Sequence, residues 1–229
     1  MAYIFNISCL IAAFLLVFGA YHFWGNYKRT RMWQFKNYSF TACLAAIAFF
    51  ALALPKLILF NPVWIQIDFV LVDLVFGSGD LFLIVALISF IKRFSRFQKI
   101  FFQFFLLLLI IYGTLNIFYF SPSIPLFSQG TLYYWKNGNF LLHSPFWLLL
   151  SLIAGINGIL FLVRLKEIGR KGLLPKTLLV GLASLLIFVA GILFWYFKFL
   201  NPLPAILNIS GIVGVLGLIF LTIGWRFFR

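Results

Sequence analysis

The amino-acid sequence predicts an all-α polytopic membrane protein: a bundle of seven transmembrane helices with the amino terminus outside and the carboxyl terminus in the cytoplasm. Three observations predict it. Of 229 residues, 64% are hydrophobic and only 10% charged, which leaves too little polar surface to cover a soluble domain. Seven apolar stretches follow one another, each long enough to cross a hydrocarbon core of about 30 Å at about 1.5 Å per residue. Finally, fifteen of the eighteen Lys and Arg residues occupy every second gap: Lys28, Arg29, Arg31 and Lys36; Lys92, Arg93, Arg96 and Lys99; Arg164, Lys166, Arg170, Lys171 and Lys176; Arg226 and Arg229. Cytoplasmic loops accumulate such residues, so the alternation sets the orientation.

In chain order the spans are placed near 2–24, 38–60, 65–91, 99–120, 145–164, 176–199 and 203–225. The first is too long for a signal-peptide core and lacks a basic leader, so it is kept as a helix. All seven Trp fall near span ends, where an amphipathic indole settles at the interface. The loops are short except for 121–144. There TLYYW and NFLLH flank Lys136-Asn137-Gly138-Asn139, and an Asn-Gly pair between β-prone runs predicts a small outer β-hairpin turning at that pair. An irregular cap over the helix ends is the competing reading. No repeat or linker divides the chain, so 1–229 reads as one seven-helix domain. The sequence stops four residues after Trp225, with no room for a cytoplasmic effector module.

The net charge of +14 would point to nucleic acid in a soluble protein. Here the cations lie in short loops beside apolar spans, where orientation and anionic lipid headgroups at the inner face account for them, and no nucleic acid is expected. The bilayer itself is the main partner.

Only four acidic residues occur, and Asp68, Asp73 and Asp80 belong to the third span or its outer end. Asp80, in VFGSGDLF, lies near mid-membrane, where an ionised carboxylate costs several kcal/mol unless paired or hydrated. Asp73 and Asp80 share a helix face about 10 Å apart, too far for a shared-proton dyad. Further polar residues gather toward the outside: Asn6, Asn116, Asn157, Asn208 and Ser210. Lys56 and Lys198 approach the outer ends of the second and sixth helices, in reach of Asp73. A ligand-binding polar cavity is thus expected around Asp73, Asp80, Asn116, Asn157, Asn208, Lys56 and Lys198, with Asp80 facing the interior near Asn157 and Asp73 beside Lys56 or Lys198. The bland alternative is a structural network of interhelical hydrogen bonds.

Gly211, Gly214 and Gly217 recur every third residue on the last helix, and Ala154 and Gly158 form a small-xxx-small pair on the fifth; such rows permit close helix approach. Gly77 and Gly79 either loosen the third helix before Asp80 or admit a neighbour. Cys9 and Cys43 differ in depth by about 10 Å, too far for a disulfide. The histidines, His22 and His143, are placed at opposite faces of the membrane, and no metal site, cofactor or GxSxG, HExxH or Walker pattern is read. The chain is not expected to be an enzyme.

Two seven-helix families are set aside. The last span, PAILNISGIVGVLGLIFLTIGW, has no lysine for a retinal Schiff base, and the Pro-Gln signature of three-plus-one-plus-three sugar transporters is missing. The layout resembles instead the seven-transmembrane amino-terminal sensor region of bacterial histidine kinases and diguanylate cyclases. The likeness rests on a basic loop after the first helix, a long outer segment before the fifth, RLKEIGRKGLLPKTLLVGLASLLIFVAGILFWY running into the sixth, and LNISGIVGVLGLIFLTIGWRFFR ending in arginine where a signalling helix would begin. It covers nearly the whole chain but carries no catalytic motif, and the effector domain of that family is absent. The resemblance implies a multi-pass protein of a bacterial inner membrane. It would be a sensor or receptor-like domain that binds a small or lipidic ligand from the outer side and works through a signalling or membrane-protein partner. Two alternatives stand beside it: a proton-coupled small-molecule transporter using Asp80, and a structural or assembly subunit of a membrane complex.

Overall fold

A computed structural model of the chain describes residues 3–53, 61–89, 95–129, 132–136, 138–164, 174–200 and 203–226. Among them are seven helices: α1 (Tyr3–Thr30), α2 (Trp33–Ala53), α3 (Pro62–Ser89), α4 (Ser95–Phe118), α5 (Phe140–Arg164), α6 (Leu174–Phe199) and α7 (Pro204–Arg226). Two strands, β1 (Ile124–Gln129) and β2 (Leu132–Lys136), lie between α4 and α5. Five of the helices, α1, α2, α5, α6 and α7, contain stretches long and apolar enough to cross a membrane. The chain is therefore built as a helical membrane protein.

The helices are distributed over two compact units, one comprising Met1–Leu15 with Ser144–Arg229 and the other Leu16–His143. In the first, α6 packs along α7, and the small residues of α7 explain how. A Cβ on Gly217 would lie 3.0 Å from the carbonyl oxygen of Ala183 and from Ile187, and one on Gly211 would lie 3.0 Å from Ser8. The glycine row thus serves packing inside the unit. Gly158 approaches Gly181 of α6 in the same way. Polar glue completes the contacts: Asn157 donates to Ser184 at 3.0 Å, Ser210 to the Ala190 carbonyl at 2.8 Å, and the Trp195 indole to the Ser144 carbonyl at 3.0 Å.

In the second unit α3 packs against both α2 and α4. Its buried positions in the first three turns, Ile65, Gln66, Phe69, Val72 and Asp73, follow helical spacing and define one inward stripe. Asn61 starts the helix, its side-chain oxygen accepting from the Val63 amide at 2.9 Å, a favoured cap. Farther along, Thr41 donates to the Gly79 carbonyl at 3.0 Å, and a Cβ on Gly79 would meet Leu44 at 3.5 Å. Gly79 therefore admits α2. Neither cysteine enters a disulfide; Cys9 is buried and Cys43 exposed.

Three boundaries differ from expectation for identifiable reasons. α1 continues six residues past the expected end at 24, to Thr30. It stops where Arg31 takes a positive φ of 57° and its amide bonds back to the Tyr27 carbonyl at 2.8 Å. Lys28 and Arg29 occupy that last turn, where cations complement the helix dipole. α5 starts at Phe140 rather than near Pro145, so NFLLH is helical. Asn139 precedes it, its carbonyl accepting from the amides of Leu142 and His143 at 3.1 Å, and this start places Pro145 in the second turn.

The third departure is the hairpin turn. β1 and β2 pair antiparallel from Ile124↔Lys136 to Gln129↔Leu132, with an irregularity between Pro125 and Phe127. The connection is therefore at 130–131, outside the described residues, and Asn137-Gly138 is not the turn between the strands. Gly138 is needed for a different reason: a Cβ there would lie 2.1 Å from the Ser121 carbonyl oxygen, a distance no side chain tolerates. Asn137, Lys56, residues 54–60 of the expected second span and the loop cations Lys92, Arg93, Lys166, Arg170, Lys171 and Arg229 also lie outside the described residues.

Candidate functional site

Within the unit Leu16–His143, three helices direct polar side chains to one place. Gln66 and Asp73 are seven residues apart on the inward stripe of α3, and both are fully buried. Tyr112 and Asn116, four apart on α4, face the same way and are buried. His143, also fully buried, enters from the first turn of α5.

The centre is a trio. One carboxylate oxygen of Asp73 accepts the Tyr112 hydroxyl and also pairs with Nδ1 of His143. The Tyr112 oxygen lies 2.6 Å from the same Nδ1, and the two rings meet edge to face at 5.3 Å. On the other side of the imidazole, Nε2 lies 3.2 Å from the Asn116 side-chain oxygen and 3.4 Å from the Gln66 side-chain nitrogen.

Backbone partners fix which way both amides point. A backbone N–H only donates and a backbone carbonyl only accepts. Gly138 N–H donates to Oε1 of Gln66 at 3.0 Å, and the Ser123 hydroxyl donates to the same oxygen at 2.8 Å. The Gln66 amino group is thereby turned toward His143. Asn116 donates through Nδ2 to the Tyr112 carbonyl at 2.9 Å, which leaves its Oδ1 for His143 and for Nδ2 of Asn139 at 3.1 Å. Nε2 consequently faces the Gln66 amino group and the Asn116 oxygen, with the Tyr112 hydroxyl also 3.3 Å away.

Gln66 also ties the ends of the strand pair. Ser123 precedes β1 and Gly138 follows β2, and a single side-chain oxygen holds both; the Ser123 amide adds a bond to the Pro62 carbonyl at 3.2 Å. Burying a carboxylate alone would cost several kcal/mol, and the trio offsets that cost only because each group has a partner of suitable sign. Among the described residues no three His, Cys, Asp or Glu side chains come together as metal ligands.

Of the residues expected from sequence, Asp73 and Asn116 are brought together, through His143. Beside Asp73 lie Tyr112 and His143, the latter within helix α5 because that helix starts early, at Phe140. Lys56 lies outside the described residues. Lys198 is buried in the other unit, its ammonium 5.4 Å from the centre of the Phe194 ring, a cation–π geometry. Asn157 is engaged with Ser184, and Asn208 is buried on α7. Asp80 is half-buried two turns beyond Asp73; it does not join the trio, so the centre of the site moves from Asp80 to Asp73. His143, Tyr112 and Gln66 escaped the sequence reading. The recoverable signal was Asn139 four residues before His143, a cap that makes HSPFW continue a helix rather than precede one. No family model, curated protein or solved structure matches this chain, and the reading of the site rests on this geometry.

Proposed function

We propose that the chain is an integral membrane sensor or receptor-like domain of seven spans, amino terminus outside and carboxyl terminus cytoplasmic, whose responsive centre is Asp73–Tyr112–His143. The observation that carries this reading is the burial of three ionisable side chains among otherwise apolar helices. Apolar packing would join α3, α4 and α5 at less cost, and ionisable groups at such depth are functional by default. The alternating basic clusters support the orientation, and Lys28, Arg29 and Arg31 are exposed at the α1–α2 turn, suited to anionic headgroups of the inner leaflet.

In this orientation the start of α3, the end of α4 and the β1–β2 segment all belong to the outer end of the bundle, so the trio lies just beneath the strand pair. A small or lipidic ligand reaching it from outside would alter the hold of Gln66 and Asn116, and a partner protein would receive the change. The layout shared with bacterial sensor regions makes the inner membrane the setting. Thermal-shift measurements over a panel of small and lipidic compounds, on detergent-solubilised wild type and Asp73→Asn, test the reading. Stabilisation by at least one compound, lost in Asp73→Asn, is expected; no ligand dependence anywhere counts against a sensor.

A further inference from the structure

We propose that Asp73, Tyr112 and His143 bind one divalent transition-metal ion through a carboxylate oxygen of Asp73, the Tyr112 oxygen and Nδ1 of His143. The proposal rests on the sensor reading of the trio and deepens it, naming the class of ligand that the site takes.

The three atoms converge on one point. A single carboxylate oxygen of Asp73 meets both the Tyr112 hydroxyl and Nδ1 of His143, and the Tyr112 oxygen lies 2.6 Å from that same nitrogen. Each atom comes from a different helix, and all three side chains are buried. With Asp73 ionised, these three mutual contacts are served by at most two protons, the one on the phenol and one on Nδ1. A triangle of electron-rich atoms thus holds fewer positive centres than contacts, and a single cation at its middle bonds all three at once.

The surroundings orient the ring for that use. A histidine that ligates a metal through one nitrogen donates its other N–H to a fixed acceptor. Nε2 of His143 has the Asn116 side-chain oxygen at 3.2 Å, and Asn116 is held in that sense by donating through Nδ2 to the Tyr112 carbonyl at 2.9 Å. The Tyr112 hydroxyl, 3.3 Å from Nε2, and the Gln66 side-chain nitrogen, at 3.4 Å, lie farther off. With its proton on Nε2, the ring turns the Nδ1 lone pair toward Asp73 and Tyr112.

Donor type and charge select the ion. One imidazole nitrogen with two oxygens suits Zn²⁺ and neighbouring first-row ions rather than Ca²⁺ or Mg²⁺, which take oxygen shells. Asp73 brings one negative charge. Tyr112 brings a second by forming its metal bond as phenolate and giving its proton to water, so the ion is neutralised among apolar helices, where an uncompensated charge is costly. Bonds of about 2.0–2.2 Å set tetrahedral donors about 3.4 Å apart, so the three donors move apart by about 1 Å, within the reach of side-chain rotation.

The test uses the full chain in detergent micelles, purified without a polyhistidine tag and stripped with chelator, at about pH 8, where histidine is ordinarily neutral. Co²⁺ and then Zn²⁺ are the probes. Expected are visible d–d bands of four-coordinate Co²⁺ that saturate at one equivalent, bleach when Zn²⁺ displaces it, and come with release of one proton per ion, read by a pH indicator in weak buffer. Zn²⁺ also shifts the ¹⁵N resonance of His143 at Nδ1, assigned with His22→Gln, which leaves ion binding unchanged. Asp73→Ala and His143→Ala abolish the bands. Asn116→Leu keeps all three ligands and weakens Co²⁺ binding about 10- to 100-fold. Bands no stronger than those of Co²⁺ in detergent alone, bands that persist in both Asp73→Ala and His143→Ala, or binding without proton release overturn the proposal. Where a variant does not fold the wild type still decides, because an unshifted Nδ1 resonance at saturating Zn²⁺ is equally fatal. With chelator present throughout the compound panel, ion binding can stand where the panel is blank, and a compound can stabilise the chain where Co²⁺ does not bind.

Discussion

One side chain, Gln66, holds both ends of the strand pair. Gln66→Leu removes the acceptor for Ser123 Oγ at 2.8 Å and for the Gly138 amide at 3.0 Å. The contact to His143 at 3.4 Å is too long to weigh much. The Ser123 hydroxyl can rotate toward another acceptor, so its loss is about 1 kcal/mol, whereas the half-buried Gly138 N–H cannot, and orphaning such a donor costs up to about 1–3 kcal/mol. Extra apolar burial by Leu offsets about 1 kcal/mol of this. The net expectation is destabilisation by about 1–3 kcal/mol, or roughly 5- to 150-fold in the folding equilibrium. Reversible unfolding in mixed detergent and sodium dodecyl sulfate micelles, followed by tryptophan fluorescence, measures it. A double-mutant cycle with Ser123→Ala isolates the shared bond, with an expected coupling of about 0.5–1.5 kcal/mol. Single effects that add to within about 0.3 kcal/mol would refute the clip.

Other substitutions separate parts of the structure by the same assay. Asp73→Asn removes a carboxylate that both Tyr112 and His143 share and is expected to destabilise by about 1–3 kcal/mol, more than Asp80→Asn, whose side chain does not join the trio; equal effects would show the two aspartates to be in like surroundings. Should Asp80→Asn instead abolish pH-gradient-driven uptake in liposomes, the carrier reading displaces the receptor one. Gly138→Ala, whose Cβ would fall 2.1 Å from the Ser121 oxygen, should lower stability by about 2–4 kcal/mol through backbone displacement and the lost amide bond, and a neutral result would mean the backbone does not pass there. Gly217→Val is expected to cost about 1–3 kcal/mol by overpacking α6 against α7. Gly25→Ala, with nothing within 4 Å of its Cβ, should stabilise α1 by about 0.5–1 kcal/mol, and a loss there would point to an unseen neighbour.

Helices were legible because apolar runs of some twenty residues have few other uses, and the glycine row of α7 was legible because small residues at fixed spacing invite a neighbour. The ends were harder. At Asn137-Gly138 the sequence carries a strong turn signal, and the glycine is indeed indispensable, but for the proximity of the Ser121 and Pro122 carbonyls, a tertiary fact invisible in a local window. Reading NFLLH as a strand then removed His143 from its helix and gave it a face of the membrane instead of a partner. Asp73 and Asn116 were found by asking which polar residues sit at apolar depth. Gln66 was passed over because an amide near a span end looks unremarkable until its oxygen is seen to receive two donors from residues 57 and 72 positions away.

An aspartate, a tyrosine and a histidine meet where apolar side chains could have packed. Structural cohesion alone does not require them: a buried ion pair is commonly no more stabilising than well-packed apolar side chains of similar volume, because desolvation cancels most of the attraction. Amides would serve for specificity, and the cluster already has Gln66, Asn116 and Asn139 in that role. The distinct property of the trio is that one carboxylate oxygen of Asp73 meets both the Tyr112 hydroxyl and Nδ1 of His143, so three ionisable groups share one point. Asp73 and Tyr112 meet the imidazole at Nδ1, and Nε2 faces the Asn116 and Gln66 amides that lead to the strand pair, with the Tyr112 hydroxyl 3.3 Å away. The imidazole sits between the buried carboxylate and the amide that grips Ser123 and Gly138, so a change at Asp73 has a single side chain to cross before it reaches the ends of the strand pair.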